Sequence, residues 1–149
     1  MTARTLLPTL DYDYKVIITK DYGFVYVLPA KQIMICELTK GYVPIEEFRE
    51  IFNQTIPFIK AYNIEKFIFD KQNLTTFHQP SMEWYFIDWK TKIYDLGVTK
   101  HRKILPKNNP VFKLAVEAGR AKIMKEFKES IIPQLDILYK DTLEEAISE

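Results

Sequence analysis

The apolar positions fall into short alternating or continuous runs early in the chain and into helical stripes later. Val16, Ile17 and Ile18 mark a strand over about 14 to 19. Asp21-Tyr22-Gly23 is a turn signal, and 24 to 28 reads as a second strand. Pro29-Ala30-Lys31 breaks it, because proline cannot donate to a ladder. Residues 32 to 38, with Ile33, Met34, Ile35 and Cys36, make a third. Short connections between the three predict an antiparallel meander.

Helical spacing begins after Gly41. Ile45, Phe48, Phe52, Ile56 and Ile59 share one face of a helix over about 44 to 62, with Pro44, Glu46 and Glu47 suited to its start. Pro57 is expected to kink this helix or end its regular part early. Phe67, Ile68 and Phe69 form a nearly unbroken apolar strand over 66 to 70, which predicts burial on both faces. Met82, Tyr85, Phe86, Trp89, Ile93 and Leu96 form the inner face of a second helix, closed by Gly97. The segment 98 to 105 is a strand candidate rich in charge: Lys100, His101, Arg102 and Lys103. It reads as a solvated edge strand, whose lysines discourage unwanted pairing. Asn109-Pro110 starts a third helix with Phe112, Ala115, Val116, Gly119, Ile123 and Phe127 inward. Pro133 precedes a final strand over 135 to 139, and a short helix over 143 to 148 follows Asp141 and Thr142.

The order β-β-β-α-β-α-β-α-β-α predicts an α/β protein. Its mixed sheet of five or six strands is antiparallel at the start, joined later by parallel crossovers, and covered by helices. The strand over 66 to 70 belongs at its centre. One domain over 1–149 is expected, with a loose lead-in over 1–12.

Composition narrows the function classes. The chain has 149 residues, 47% hydrophobic and 28% charged, with a formal net charge of +1. No global field would attract nucleic acid, and no stretch reaches the apolar length of a membrane span. The first residues carry no apolar run of signal-peptide length. The single cysteine, Cys36, excludes an intrachain disulfide and fits a reducing, cytoplasmic setting. Two histidines, scattered glycines and no nucleophile elbow leave no catalytic residues, metal ligands or cofactor loop to name.

Four groups of residues are candidates for chemistry. Ser81 stands where a helix begins, so it is either a capping hydroxyl or a phosphoacceptor and anion site. Asp70 and His78 flank one loop and are the acid and base an enzyme would use there, the weakest of the functional readings. Arg102, Lys103 and Lys107 precede the helix start at Asn109, an arrangement able to hold a phosphate or lipid head group. Trp84, Ile87 and Tyr94 point away from the inner face of the second helix by ideal helical geometry. They form either an interaction surface or the seat of the chain's own Leu6, Leu7 and Leu10.

Three patterns carry a resemblance. They are Phe67-Ile68-Phe69-Asp70 with Leu74, Phe77 and the helix opening at Ser81; the run from Gly41 to Phe48; and the run from Leu138 to Ile147. Together with the element order they resemble the STAS family (sulfate transporter and anti-sigma-factor antagonist), and more closely its SpoIIAA-like and Sec14-like single-domain bacterial members. The acid that precedes the phosphorylated serine in anti-sigma antagonists is Pro80 here. The resemblance implies a non-enzymatic regulatory or protein-interaction domain, with a protein partner or self-association as a dimer. The alternative it implies is a binder of a small apolar or lipid-like ligand. The 14% aromatic content would line such a pocket or build a core.

Overall fold

A computed structural model describes residues 3–76, 78–127 and 131–149. Phe77 lies outside the described residues. Three antiparallel strands open the sheet: β1 (Lys15–Lys20), β2 (Gly23–Leu28) and β3 (Ile33–Leu38). Three parallel strands extend it: β4 (Lys66–Asp70), β5 (Lys100–Ile104) and β6 (Asp136–Lys140). The spatial order is the sequence order, β1 to β6. The chain is thus an α/β protein with a six-stranded mixed sheet.

Every parallel crossover moves the same way across the sheet, so its helices collect on one face. These are α2 (Ile45–Ala61), the unbroken helix over 79–94, and α5 (Pro110–Glu126). The middle one consists of α3 (Gln79–Glu83), a π-helical segment (Trp84–Trp89) and α4 (Lys90–Tyr94). They bury Phe48, Phe52, Tyr85, Trp89 and Phe112 against Val25, Cys36, Phe67 and Phe69 of the sheet. The opposite face carries Tyr26, Leu28, Ile35, Ile68 and Ile104, covered by α1 (Ala3–Leu6) and α6 (Leu143–Ser148). Strand alternation explains the division, since successive side chains of one strand enter opposite layers.

Several sequence expectations need correction. From Ala3 to Thr9 the lead-in is helical and not loose. Ala3, Leu6 and Leu7 are buried against Tyr26 and Leu28, because without them this sheet face would meet water. Nor do Leu6 and Leu7 cover the second helix, which lies on the other side of the sheet. The helix α2 runs through Pro57 to Ala61. Pro57 faces solvent, where water can take the carbonyl that its missing N–H leaves free.

The supposed edge strand is interior. β5 pairs with β4 on one side and β6 on the other, and residues 101 to 104 are buried. Neighbouring ladders hold its backbone, so sheet position overrides its polar sequence. Trp84 is also inward, at 9% exposure, and packs edge-on against Phe48 and Phe52. The π segment is the cause. Its i→i+5 bonding widens the turn, and Trp84, Tyr85 and Phe86 in succession, then Trp89 and Lys90, are buried. Ile87 and Tyr94 are half-buried. The proposed outer stripe does not exist as a surface.

Candidate functional site: a buried cation cluster beside a cavity

β5 carries cations on both faces, and the two faces treat them differently. On the α1/α6 side, Arg102 donates from Nη1 to the His101 and Asp136 carbonyls, at 3.0 and 2.9 Å. Its Nη2 bonds Asp136 Oδ2 at 3.1 Å and the Glu149 carbonyl at 2.9 Å. Beside it, Lys66 donates to the Ala146 and Ile147 carbonyls at 3.1 and 2.8 Å, where the end of α6 favours a cation. These cations are structural fasteners between sheet and last helix.

On the other face the cations are left unpaired. Lys103 is fully buried, as is Lys90 from the long helix, and neither ammonium has a hydrogen-bond partner among the described residues. Lys103 Nζ lies 3.9 Å from the Phe86 ring centre and 5.1 Å from that of Tyr85. Lys90 Nζ lies 4.8 and 4.9 Å from the Tyr85 and Phe86 centres. Lys71, the residue after β4, is 2% exposed, and its Nζ also has no partner, standing 5.1 Å from the Phe69 ring centre. Arg120 of α5 approaches Tyr139 at 5.9 Å and leaves its Nε unbonded. His101 lies beside the Phe67–Trp89 pair, 6.4 Å from each ring centre, with both ring nitrogens unpartnered.

Burial in this setting disfavours the charged forms, and the cations add mutual repulsion. Desolvation, then Arg120, pushes the Lys71 ammonium down to about 7. Lys90 and Lys103 are held well below the ordinary lysine range, by desolvation first and by neighbouring cations second. His101 is likewise held well below its usual value, first by burial. The Tyr85 hydroxyl, buried and unbonded, is pushed the other way. The nearby carboxyls offer no help. Asp70 and Glu37 face each other in register on the opposite side of the sheet. There Glu37 accepts from the Ala3 amide and Tyr26 hydroxyl, and Asp70 from Gln72.

A cavity of about 40 Å³ opens beside Lys71 at the carboxyl ends of β3 and β4. Such strand ends are the usual ligand position in open α/β sheets. Leu38, Phe48, Phe69, Leu74, Met82 and Phe112 form its apolar wall, with Lys71, His78 and Ser81 as polar points. Its rim is tied: the amides of Thr75 and Thr76 both donate to the Gly41 carbonyl, at 2.9 and 3.2 Å. A Cβ on Gly41 would stand 2.6 Å from Thr75 Oγ1, so a larger residue there would push the Thr75 side chain aside.

The candidates from sequence are distributed as follows. Ser81 is 5% exposed, and its hydroxyl lies 2.8 Å from His78 Nδ1. The capping residue is His78, whose Nδ1 accepts the Ser81 amide. Ser81 is therefore neither the cap nor an open phosphoacceptor. His78 turns to Ser81 at the cavity, while Asp70 turns to Gln72 on the other side of the sheet. Arg102 and Lys103 part to opposite faces, Lys107 is exposed, and Asn109 caps α5 by accepting the Phe112 amide. They do not assemble into one patch. Lys71, Lys90 and Arg120 escaped sequence reading. Lys71 continues the Phe67, Phe69 alternation, and Lys90 follows Phe86 by one helical turn. The face of Lys71 was legible from that alternation, whereas the inward turn of Lys90 depends on the π segment and was not.

Among the described residues, no cluster of three His, Cys, Asp or Glu side chains has the arrangement to hold a metal ion. Among them, too, no helix is long and apolar enough to cross a membrane. No family model matches the chain, and no curated protein or solved structure matches it either.

The depressed amines make stability depend on pH. In the unfolded chain a lysine keeps its proton to about pH 10.4. Folded Lys71 releases its proton near 7, and Lys90 and Lys103 are also depressed. The unfolded state then binds more protons above pH 7, so stability rises with pH by up to about 1.4 kcal/mol per unit for each amine. Cys36, whose folded form holds its proton more tightly, opposes this above roughly pH 8.5, and Tyr26 does so only above about pH 10. Urea midpoints should therefore climb from pH 7 to about 8.5 and more gently from there towards about pH 10, because one thiol offsets only one of the three amines. A flat or falling midpoint over that interval would show that the amines have an anionic partner in the folded chain.

Proposed function

We propose that the chain is a non-enzymatic, STAS-like regulatory module that reads a small ligand through the cavity at the ends of β3 and β4. The observation that carries this is the cavity itself: an apolar wall, polar side chains that include Lys71, His78 and Ser81, and a tied rim at the carboxyl ends of two parallel strands. Its volume suits a small molecule or the short end of a larger one, since a buried water needs only roughly 10–15 Å³ measured in this way. The lipid-like ligand that the Sec14-like resemblance implies thus reduces to a compact apolar group. A bacterial, cytoplasmic setting goes with this reading, and buried, unpaired Cys36 is compatible with it.

Native mass spectrometry of gently purified protein tests the proposal. A retained small molecule, lost when Met82→Trp fills the cavity, is the expected result. Wild type carrying no ligand, together with no thermal response to a panel of small apolar and amphiphilic compounds, would reject it.

Self-association is a second reading, favoured by one observation. β6 is the sheet's last strand, with Leu138 41% and Tyr139 38% exposed. Antiparallel pairing of two β6 strands about Leu138 would set Asp136 of each against Lys140 of the other, a charge-complementary register. Leu138→Lys is then expected to weaken dimerisation by more than about 1 kcal/mol, the scale of an interface residue that matters. Sedimentation velocity over a concentration series measures this, and a wild type monomeric throughout would reject the dimer.

A further inference from the structure

Lys71, Lys90, Lys103 and Arg120 bring four cationic side chains to one side of the sheet, and no carboxylate joins them there among the described residues. Burying an ammonium without a partner is among the least favourable arrangements in a protein. Fold maintenance does not require it, because on the other face of β5 the buried Arg102, although its Nε is unbonded, makes four hydrogen bonds from its two terminal nitrogens. A methionine would fill the Lys90 or Lys103 volume without the penalty. Local rules broken with no structural return mark functional positions.

We infer that the cavity binds an oxyanion group, phosphate or sulfate, on the Lys71 ammonium, with Arg120, Lys90 and Lys103 supplying positive potential behind it. Lys71 lines the cavity, is almost wholly buried, and has a bare Nζ. The Ser81 hydroxyl and the His78 ring stand on the same wall. The apolar wall receives whatever short chain the oxyanion carries. This inference rests on the ligand-binding reading and names the ligand's chemistry.

Binding has a signature that follows from the surroundings. The groups facing the site are His78 and Tyr42 on the cavity wall, Lys71 after β4, Lys90 and Tyr85 from the long helix, His101 and Lys103 from β5, Arg120 from α5, Tyr139 from β6 and Cys36 from β3. An arriving anion favours the protonated amines, so the site takes up protons as it fills. Affinity is then higher at pH 6.5 than at pH 8.5, against the direction in which a phosphate's own second ionisation acts. Sulfate, which has no ionisation in that range, isolates the effect.

The test is isothermal titration of the full chain with sodium sulfate, inorganic phosphate, butyl phosphate and butanol, each in two buffers of different ionisation heat. Butyl phosphate is expected to bind tightest, sulfate to bind with net proton uptake, and butanol to bind weakly. Lys71→Met and Lys103→Met should each weaken the anions by roughly tenfold or more, the scale of a lost charge-assisted interaction. Circular dichroism reports folding, and Lys92→Met on the exposed helix face is the control. Equal binding of butanol and butyl phosphate, unchanged by Lys71→Met, would overturn the oxyanion while leaving the cavity reading intact. Binding of sulfate and phosphate with no gain from the butyl chain would support the oxyanion and remove the apolar ligand. Binding of none of the four would overturn both.

Discussion

Replacing both Lys90 and Lys103 with methionine is expected to raise stability by about 1–4 kcal/mol, the range seen when buried ionic groups give way to apolar side chains of similar size. Both ammonium groups are fully buried over the Tyr85 and Phe86 rings without hydrogen-bond partners. Attraction to the ring faces returns about 2 kcal/mol for a desolvated cation, less than the loss of hydration. The folded protein relieves the difference by releasing protons, which is why both groups sit well below the usual lysine range. Methionine keeps the length and flexibility of the stem and makes its own contacts with aromatic rings. Equilibrium urea unfolding at pH 7, with the slope checked for constancy, measures the gain. A destabilisation beyond about 1 kcal/mol, a common size for a disruptive substitution, would mean that the amines hold the fold together. Stability gained together with anion affinity lost would fit the trade expected at a functional site.

Trp89→Ala is expected to cost about 3–5 kcal/mol, the usual loss for deleting a buried large aromatic side chain. Trp89 is fully buried between the long helix, α2 and the sheet. Its ring stacks on Tyr85 at 5.2 Å and meets Phe67 and Phe52 edge-on at 4.6 and 4.9 Å. The indole N–H donates to the Phe52 carbonyl at 2.9 Å and contacts Thr55 Oγ1 at 3.3 Å. It thereby fastens the π segment to α2, and truncation would leave a void and remove that bond together. Loss of the π geometry would also release Lys90 from its buried position. Urea unfolding gives the magnitude, and anion titration of the variant should show weaker binding even where the fold survives. A cost under about 1 kcal/mol would show that the aromatic layer does not depend on this ring.

The elements were legible because their signals are local. The meander, the 66 to 70 strand and the extents of the helices follow from alternation, helical spacing and turn residues, and the structure has them within a residue or two, although Phe127, expected inward, is 38% exposed. The α/β class followed from their order. The unbroken apolar run Phe67-Ile68-Phe69 located the interior of the sheet without any contact being known. The face of Lys71 was equally local, since it continues the alternation of β4.

Tertiary structure decided the rest. Whether Lys-His-Arg-Lys is an edge or an interior strand depends on where β6 pairs, and no residue within β5 records that. Once β6 closes that side, His101, Arg102 and Lys103 change from a solvated rim to two buried layers, one bonded through Asp136 and Glu149 and one left bare. The wider π turn, which carries Trp84 and Lys90 inward, has no period-3.6 signature in the sequence. Lysine favours water so strongly that composition assigns it to the surface. Only the covering helices, by removing that water, turn these lysines into a candidate site.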